Sequence, residues 1–264
     1  MKVAAGKIVI IGAGNVATQL GKALKKANYT IIQIYSKSIY SASTLAKYFN
    51  CAHTNHIENI DTSADLYIIA VKDDAIIDIV KKIRLTDKII VHTSGTVEMN
   101  VLLPVSINIG VLYPLQTFTK SRILNFKTIP ICLEANNTST YKTLQLISKS
   151  ISNNVQKINS NQRKKIHLAA IFANNFTNHL FTISASILKS ANLSLDILKP
   201  LILETVRKIN TTDPNDNQTG PAIRNDKKTM NTHLKMLINN KDYFQLYKLI
   251  SKSIKTTKKN IYFD

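Results

Sequence analysis

Three stretches of this chain carry residue types and spacings that could do chemistry. The first is Gly12-Ala-Gly-Asn-Val-Ala17. It follows a short apolar run, Ile8 to Ile11, of the kind that forms a strand covered on both faces. It leads into helical periodicity with Val16, Leu20, Ala23, Leu24 and Ala27 on one side. Strand, glycine turn and helix in that order make a dinucleotide-binding pattern. Gly12 permits the turn, Gly14 lets a pyrophosphate approach the backbone, and Ala17 is small enough for helix and strand to pack. The N–H groups of the helix start, at Asn15 and Val16, and the positive end of its dipole would face phosphates. The competing reading is a glycine turn that serves packing alone.

The residues after the second strand, Thr30 to Tyr35, bear on which dinucleotide. Sites for NAD usually place Asp or Glu there, on the ribose 2′-hydroxyl. This chain has Ser36-Lys37-Ser38 instead. Hydroxyls and a cation suit a 2′-phosphate, which a carboxylate would repel, so NADP is favoured over NAD. Lys37 as an ordinary solvated lysine is the alternative. Val71, closing the strand Leu66 to Val71, completes the expected cofactor set.

The second stretch is His92-Thr-Ser-Gly-Thr96, after an apolar strand, with Tyr113-Pro-Leu-Gln-Thr-Phe118 after the next. Ligands of open α/β sheets sit outside the carboxyl ends of the strands, so His92 and Ser94 are expected to line a cleft. His92 titrates in a range suited to proton transfer; a structural histidine bonded to backbone is equally open. The third stretch is a helical pattern carrying His167, Asn174, Asn178 and His179. At about 100° per residue His167, Ile171, Asn174 and Asn178 share a stripe, with Phe172, Phe176 and Leu180 turned elsewhere. Such polar groups need partners, which are a substrate and the nicotinamide amide, or each other and water. Further on, Thr219-Gly-Pro opens a turn, Asp226 can cap the helix that carries Thr229 and His233, and Arg224 offers a fork for a carboxylate or phosphate. An Arg224–Asp226 pair that fixes the loop is the plain alternative.

These groups need a scaffold. Up to about residue 160, β-rich runs alternate with helical segments, as in a wound parallel sheet. The strands read as Thr30–Tyr35, Leu66–Val71, Lys88–His92, Gly110–Tyr113 and Ile129–Leu133, and Asp73-Asp74 opens a helix. Beyond residue 160 the pattern is helical, over 163–190, 195–210, 227–239 and 242–258. The expected architecture is an α/β Rossmann-type dinucleotide-binding domain over 1–160 and an all-α substrate and dimerisation domain over 161–264.

The chain's 264 residues, 44% of them hydrophobic, can build a sizeable core. Its +19 charge comes from 30 Lys and five Arg spread along the chain, with abundant Asn and Ile and no Trp. That bias suits an AT-rich genome filling exposed positions, so a nucleic-acid partner is not expected. The charge would instead attract a phosphorylated cofactor or anionic substrate. Cys51 and Cys132 lie far apart and outside any Cys/His cluster, which points to reduced thiols in a cytoplasmic protein and no metal site. The apolar N-terminal run is too short and glycine-interrupted for a signal or membrane-spanning segment, and no membrane partner is expected.

Taken together, the GAGNVA turn at 12–17, YSKS at 35–38, VKDDAI at 71–76, HTSGT at 92–96, LYPLQTF at 112–118, HLAAIFANNFTNHL at 167–180 and TGPAIRND at 219–226 resemble one family. It is that of Rossmann-like proteins with a C-terminal helical domain of unknown function, described mainly as NADP-dependent oxidoreductases without an agreed substrate. More distantly the chain is similar to the β-hydroxyacid dehydrogenase and pyrroline-carboxylate reductase group, whose helical domain closes over the nicotinamide and often forms the dimer. β-Hydroxyacid dehydrogenases carry a catalytic Lys three residues before an Asn-Asn pair. The resemblance puts Ile171 at that position, and isoleucine cannot donate a proton. His167, one turn earlier, is the nearest replacement. The resemblance thus implies a homodimeric NADP oxidoreductase with His167, Asn174 and His92 as catalytic candidates. Asn178, Arg224 and Ser94 would hold a small polar, anionic substrate. A nucleotide-binding sensor or assembly protein without turnover is the alternative, which the missing lysine favours.

Overall fold

A computed structural model describes residues 6–257, which form two compact units divided in sequence between Asn174 and Asn175. The first contains a sheet of eight strands. These are β1 (Lys7–Ile11), β2 (Thr30–Tyr35), β3 (Ala52–Thr54), β4 (Leu66–Ile69), β5 (Ile89–His92), β6 (Asn108–Pro114), β7 (Ile131–Ala135) and β8 (Val155–Lys157). They lie in the order β3-β2-β1-β4-β5-β6-β7-β8. Strands β1 to β6 pair in parallel, and their order reverses between β1 and β4, the switch point where such sheets bind ligands. The expectation of a parallel sheet fails at one place: β7 runs antiparallel to β6. Residues 115–130 carry only a short 3-10 turn, Phe126–Thr128, and a parallel return would need a full crossover.

Five helices belong to this unit: α1 (Asn15–Lys26), α2 (Ile39–Phe49), α3 (Asp73–Lys82), α4 (Thr138–Ile151) and α5 (Ser160–Ala170). Alternation along β1 assigns the two faces. Ile8 and Ile10 bury against Leu20 and Leu24 of α1, Phe49 of α2 and Leu144 of α4, while Val9 and Ile11 bury with Ile76 and Ile79 of α3. Both faces are covered, which is why the strands read as unbroken apolar runs. The helix starts are specified locally. Ser38 accepts the Ser41 N–H, and Asn159 with Gln162 forms a capping box on α5. Ile166 of α5 packs on Val111, Tyr113 and Cys132.

In the second unit the described helices are α6 (Thr177–Ser190), α7 (Lys199–Lys208), α8 (Lys227–Met236) and α9 (Lys241–Thr257), and no strand occurs among its described residues. Lys258, where the sequence pattern ended the last helix, lies outside the described residues. Between α5 and α6 the backbone widens into a π-helical turn, Ile171–Phe176. A π turn holds one residue more than an α turn, so helical faces slip by about 100° across it. The single α stripe expected through His167, Ile171, Asn174 and Asn178 is therefore interrupted.

Candidate active site

The glycine turn after β1 behaves differently at its two glycines. Gly12 has φ +130°, and a Cβ there would lie 2.2 Å from the Ala70 carbonyl oxygen and 3.3 Å from Cγ1 of Val71. Only glycine fits, since both the left-handed backbone and the contact with the end of β4 exclude a side chain. The Gly12 N–H donates to the Tyr35 carbonyl at 2.7 Å, which ties the turn to the end of β2. At Gly14, by contrast, a Cβ would meet nothing within 4 Å. Gly14 caps α1 with no side-chain hydrogen bond, and the first turn of the helix contains no acidic residue. The N–H groups of Asn15, Val16 and Ala17 belong to that first turn, where a helix has no acceptor of its own. An open backbone cradle with unsatisfied donors and a positive dipole end fits the pyrophosphate of a dinucleotide.

At the end of β2 the Ser36 N–H is held by the Thr54 carbonyl, and the Ser38 hydroxyl is taken up in capping α2. Lys37 is exposed, with its Nζ 4.0 Å from an Asp78 carboxylate oxygen that is itself exposed. Such a pair contributes little and leaves the lysine able to turn to a phosphate.

At the ends of β5 and β6 a polar layer sits under α5. Register pairs His92 with Val111, Val111 with Glu134, and Tyr113 with Cys132, so His92, Tyr113 and Glu134 share one face of the sheet. Arg163 of α5, fully buried, reaches into this layer. Its guanidinium pairs with Glu134 and donates to the Val97 carbonyl and the Ser160 hydroxyl oxygen. The Ser160 N–H donates to Glu134 as well, at 3.0 Å, and Lys164 pairs with Glu98. These contacts fasten α5 to β7 and to the loop after β5. Four residues beyond Arg163, the His167 ring lies against Gly95, where a Cβ would be 2.5 Å from Nδ1. The Tyr113 hydroxyl is 3.0 Å from that same Nδ1. Burial pushes the Tyr113 phenol up to about 12, so it stays protonated and can donate to the imidazole.

His92 occupies a different environment. It is fully buried, and its Nδ1 accepts the Ser94 N–H at 3.2 Å. Burial, with the Arg163 charge second, pushes it down to about 4, which keeps the ring neutral. These surroundings favour the structural alternative for His92 over proton transfer. The Ser94 hydroxyl oxygen accepts the Thr96 and Val97 N–H groups at 3.1 and 3.0 Å, and the Thr96 hydroxyl donates to Asp73. Burial also pushes the Cys51 thiol up, to about 11.

In the helical unit Asn178 is exposed, as is Asn174 at the close of the first unit. Arg224 is exposed and makes no ion pair among the described residues. Asp226 is engaged with the Thr229 N–H and hydroxyl at 3.0 and 2.7 Å, so the loop is held by a helix cap rather than by an Arg224–Asp226 pair. His233 Nδ1 lies 2.8 Å from the Tyr247 hydroxyl, on the wall of an apolar cavity of about 320 Å³ lined by α6, α8 and α9. Tyr113 entered the sequence reading only as the start of the stretch after β6, without a role of its own, and Arg163 and Glu134 had none. Arg163 carried a usable signal, because arginine is scarce in this chain, with five against 30 lysines.

The strand order, the switch point and the glycine cradle define a Rossmann-type dinucleotide-binding domain joined to a helical domain. Comparisons with known proteins give the family. Residues 1–116 match the Rossmann-like domain, and residues 129–254 match the Domain of unknown function (DUF2520). A candidate NADP oxidoreductase from Bacteroides fragilis is 40% identical with a TM-score of 0.90, over 96% of this chain and 99% of that one. The chain belongs to this family of Rossmann-like proteins with a C-terminal domain of unknown function. The fold is shared more widely. A 1-pyrroline-5-carboxylate reductase from Streptococcus pyogenes has a TM-score of 0.63 at 14% identity, over 95% of this chain and 98% of that one. An imine reductase from Myxococcus stipitatus, solved with NADP+, has a TM-score of 0.62 at 12% identity, over 96% and 94%. A comparison with curated proteins finds no match. Among the described residues no helix is long and apolar enough to cross a membrane, and no group of three His, Cys, Asp or Glu could hold a metal.

Proposed function

We propose that the protein is an NADP-dependent oxidoreductase acting on a small polar, anionic substrate, with His167 as proton donor and Tyr113 positioning it. The observation that carries the reading is the open cradle at Gly14 on the same sheet edge as Tyr113 and the loop that holds His167. Gly12, Gly14, Asn15, Val16, Ala17 and Val71 would hold the dinucleotide, with Ser36, Lys37 and Ser38 toward the 2′-phosphate. Bound nicotinamide would supply or accept the hydride. The chain's own part is to orient the reactants and move a proton. In its protonated form His167 would give its Nδ1–H to the Tyr113 oxygen and its Nε2 proton to the substrate, which leaves a neutral ring that accepts the Tyr113 hydroxyl. A positioned general acid contributes roughly 10²–10⁴-fold in rate. Ser94, Asn174, Asn178 and Arg224 are the residues proposed to hold the substrate, Arg224 through an anionic group.

The relatives named for NADP and for reductase activity support the class, and the substrate is left to experiment. Carbonyl, imine and alcohol compounds bearing a carboxylate or phosphate are the panel to assay with NADPH or NADP+. Once turnover is found, His167→Gln is expected to lower kcat at least a hundredfold with NADPH affinity retained. Unchanged kcat would remove His167 from the chemistry. NADPH binding without turnover across the panel would support the sensor reading, which Ile171 at the family's lysine position favours.

We also propose a homodimer formed through the helical unit. No residue of α7 is buried, and Leu201, Leu203 and Val206 are all more than half exposed. A surface of that kind calls for a partner, and a second copy supplies a self-complementary one.

A further inference from the structure

The first unit carries a second cleft, lined by α1, the end of α2, residues 122–127 and the end of α4. Its volume is about 800 Å³. The charges on its walls are Lys22, Lys25, Lys26, Arg122 and Lys127, and no carboxylate lines it. None of these five forms an ion pair among the described residues. The chain builds the arrangement from within. Lys22, Lys25 and Lys26 stand at i, i+3 and i+4 on α1, so they share one face. The buried Gln19, one turn earlier, donates its amide to the Thr119 and Arg122 carbonyls at 2.6 and 2.8 Å, which fixes the loop bearing Arg122. Lys25 Nζ donates to the Tyr48 carbonyl at 2.8 Å, and Lys127 Nζ donates to the Ser150 carbonyl at 2.9 Å. Lys22 and Lys25 lie 5.3 and 5.1 Å over the Tyr48 ring. The helix dipole accounts for Lys25 and Lys26 in the last turn of α1. It does not account for Lys22, nor for Arg122 and Lys127, which come from a second segment about 100 residues further along the chain.

Five cations without a carboxylate partner around one cleft set up a positive potential that favours an anion. We propose that this cleft is a binding site for a small polyanion carrying two or more phosphate groups, separate from the dinucleotide cradle. Cations on several walls of one cleft, with the Lys25 and Lys127 heads held by carbonyls, suit a ligand with several negative groups better than a single charge. Among the described residues the side chains of Lys26 and Arg122 make no hydrogen bond to a carbonyl, which leaves them to make the main contacts.

The test is calorimetry with inorganic tripolyphosphate on the full chain at low salt, with NADPH titrated in parallel. Wild type is expected to bind one tripolyphosphate per chain, more weakly as salt rises. Lys26→Ala with Arg122→Ala is expected to weaken it at least tenfold and to leave NADPH affinity and thermal stability unchanged. Gly14→Val is expected to retain tripolyphosphate binding, which separates this cleft from the cradle and makes the result independent of the proposed function. No binding by wild type would overturn the site. So would loss in Gly14→Val, or binding indifferent to the double variant. Tighter binding of duplex DNA at several copies per duplex, with a steep salt slope, would replace the site with a nucleic-acid surface.

Discussion

The sheet unit and the helical unit bury apolar surface to very different degrees. In the sheet unit, strands β1, β4 and β5 are almost wholly inaccessible, and helices cover both faces. Among the described residues of the helical unit, only Ile183, Ala222 and Met230 are buried apolar residues. Leu193, Ile197, Leu201, Leu203, Val206 and Ile209 are each at least half exposed. The sheet unit is therefore a finished core that can hold fixed geometry, such as the Gly12 turn and the Arg163–Glu134 pair. The helical unit keeps its apolar residues on the outside, and the proposed homodimer is assigned to that surface.

That contrast can be broken most strongly at α7. Leu201→Glu with Val206→Glu removes two apolar contacts worth about 1.5–3 kcal/mol each if they are buried in a dimer. Sedimentation is then expected to show a dimer in the wild type and a monomer in the variant, with NADPH still bound. A wild type that is monomeric across micromolar concentrations would contradict the homodimer.

The next effect is in the sheet unit. Gly12→Ala forces a Cβ against the Ala70 carbonyl at a left-handed φ. Strain and overpacking together are expected to cost about 3 kcal/mol, read as a lower urea midpoint. The matching change at Gly14, Gly14→Ala, meets no atom and should cost well under 1 kcal/mol.

A smaller effect concerns pH. His92 titrates near 4 in the folded chain and near 6.5 when unfolded, so the unfolded chain takes up the proton first as pH falls. The contribution of the neutral ring is complete above pH 6.5 and is lost between there and 4. By pH 5 that amounts to about 2 kcal/mol. Comparing urea unfolding at pH 7 and pH 5 isolates it: His92→Asn, whose amide oxygen can accept the Ser94 N–H, should lose less stability on acidification than wild type. Equal losses in both would remove His92 as the source.

The smallest effect is at Lys37. Lys37→Ala is expected to weaken NADPH about tenfold and to leave NADH unchanged, as for one charge-assisted contact. An unchanged preference between the two cofactors would detach Lys37 from the 2′-phosphate.

Local pattern was enough to read the Rossmann core, because turn, strand and helix signals there agree within a few residues. Strand β1, helix α1 and the start of α3 at Asp73 are such cases. The antiparallel β7 was hidden, since its direction depends on a long connection lacking a helix rather than on its own residues. The π turn at Ile171–Phe176 was equally hidden, because periodicity arguments assume one helical pitch. In the candidate site the glycine turn was legible from residue type and spacing, and the same signals picked out His167 as a candidate. The partners that hold His167 were not: Glu134 is 29 residues from Arg163, Tyr113 is 54 from His167, and only the fold brings such pairs together.

Calorimetry of NADPH with wild type and with Gly14→Val tests whether the turn after β1 holds a dinucleotide phosphate. A Cβ at Gly14 meets no atom within 4 Å, so the valine variant is expected to fold, which far-UV circular dichroism and the thermal midpoint check. Wild type is expected to bind one NADPH per chain, more tightly than NADH, and the variant to bind neither. A wild type that binds neither cofactor, or a folded Gly14→Val that binds NADPH as well as wild type, would contradict the account.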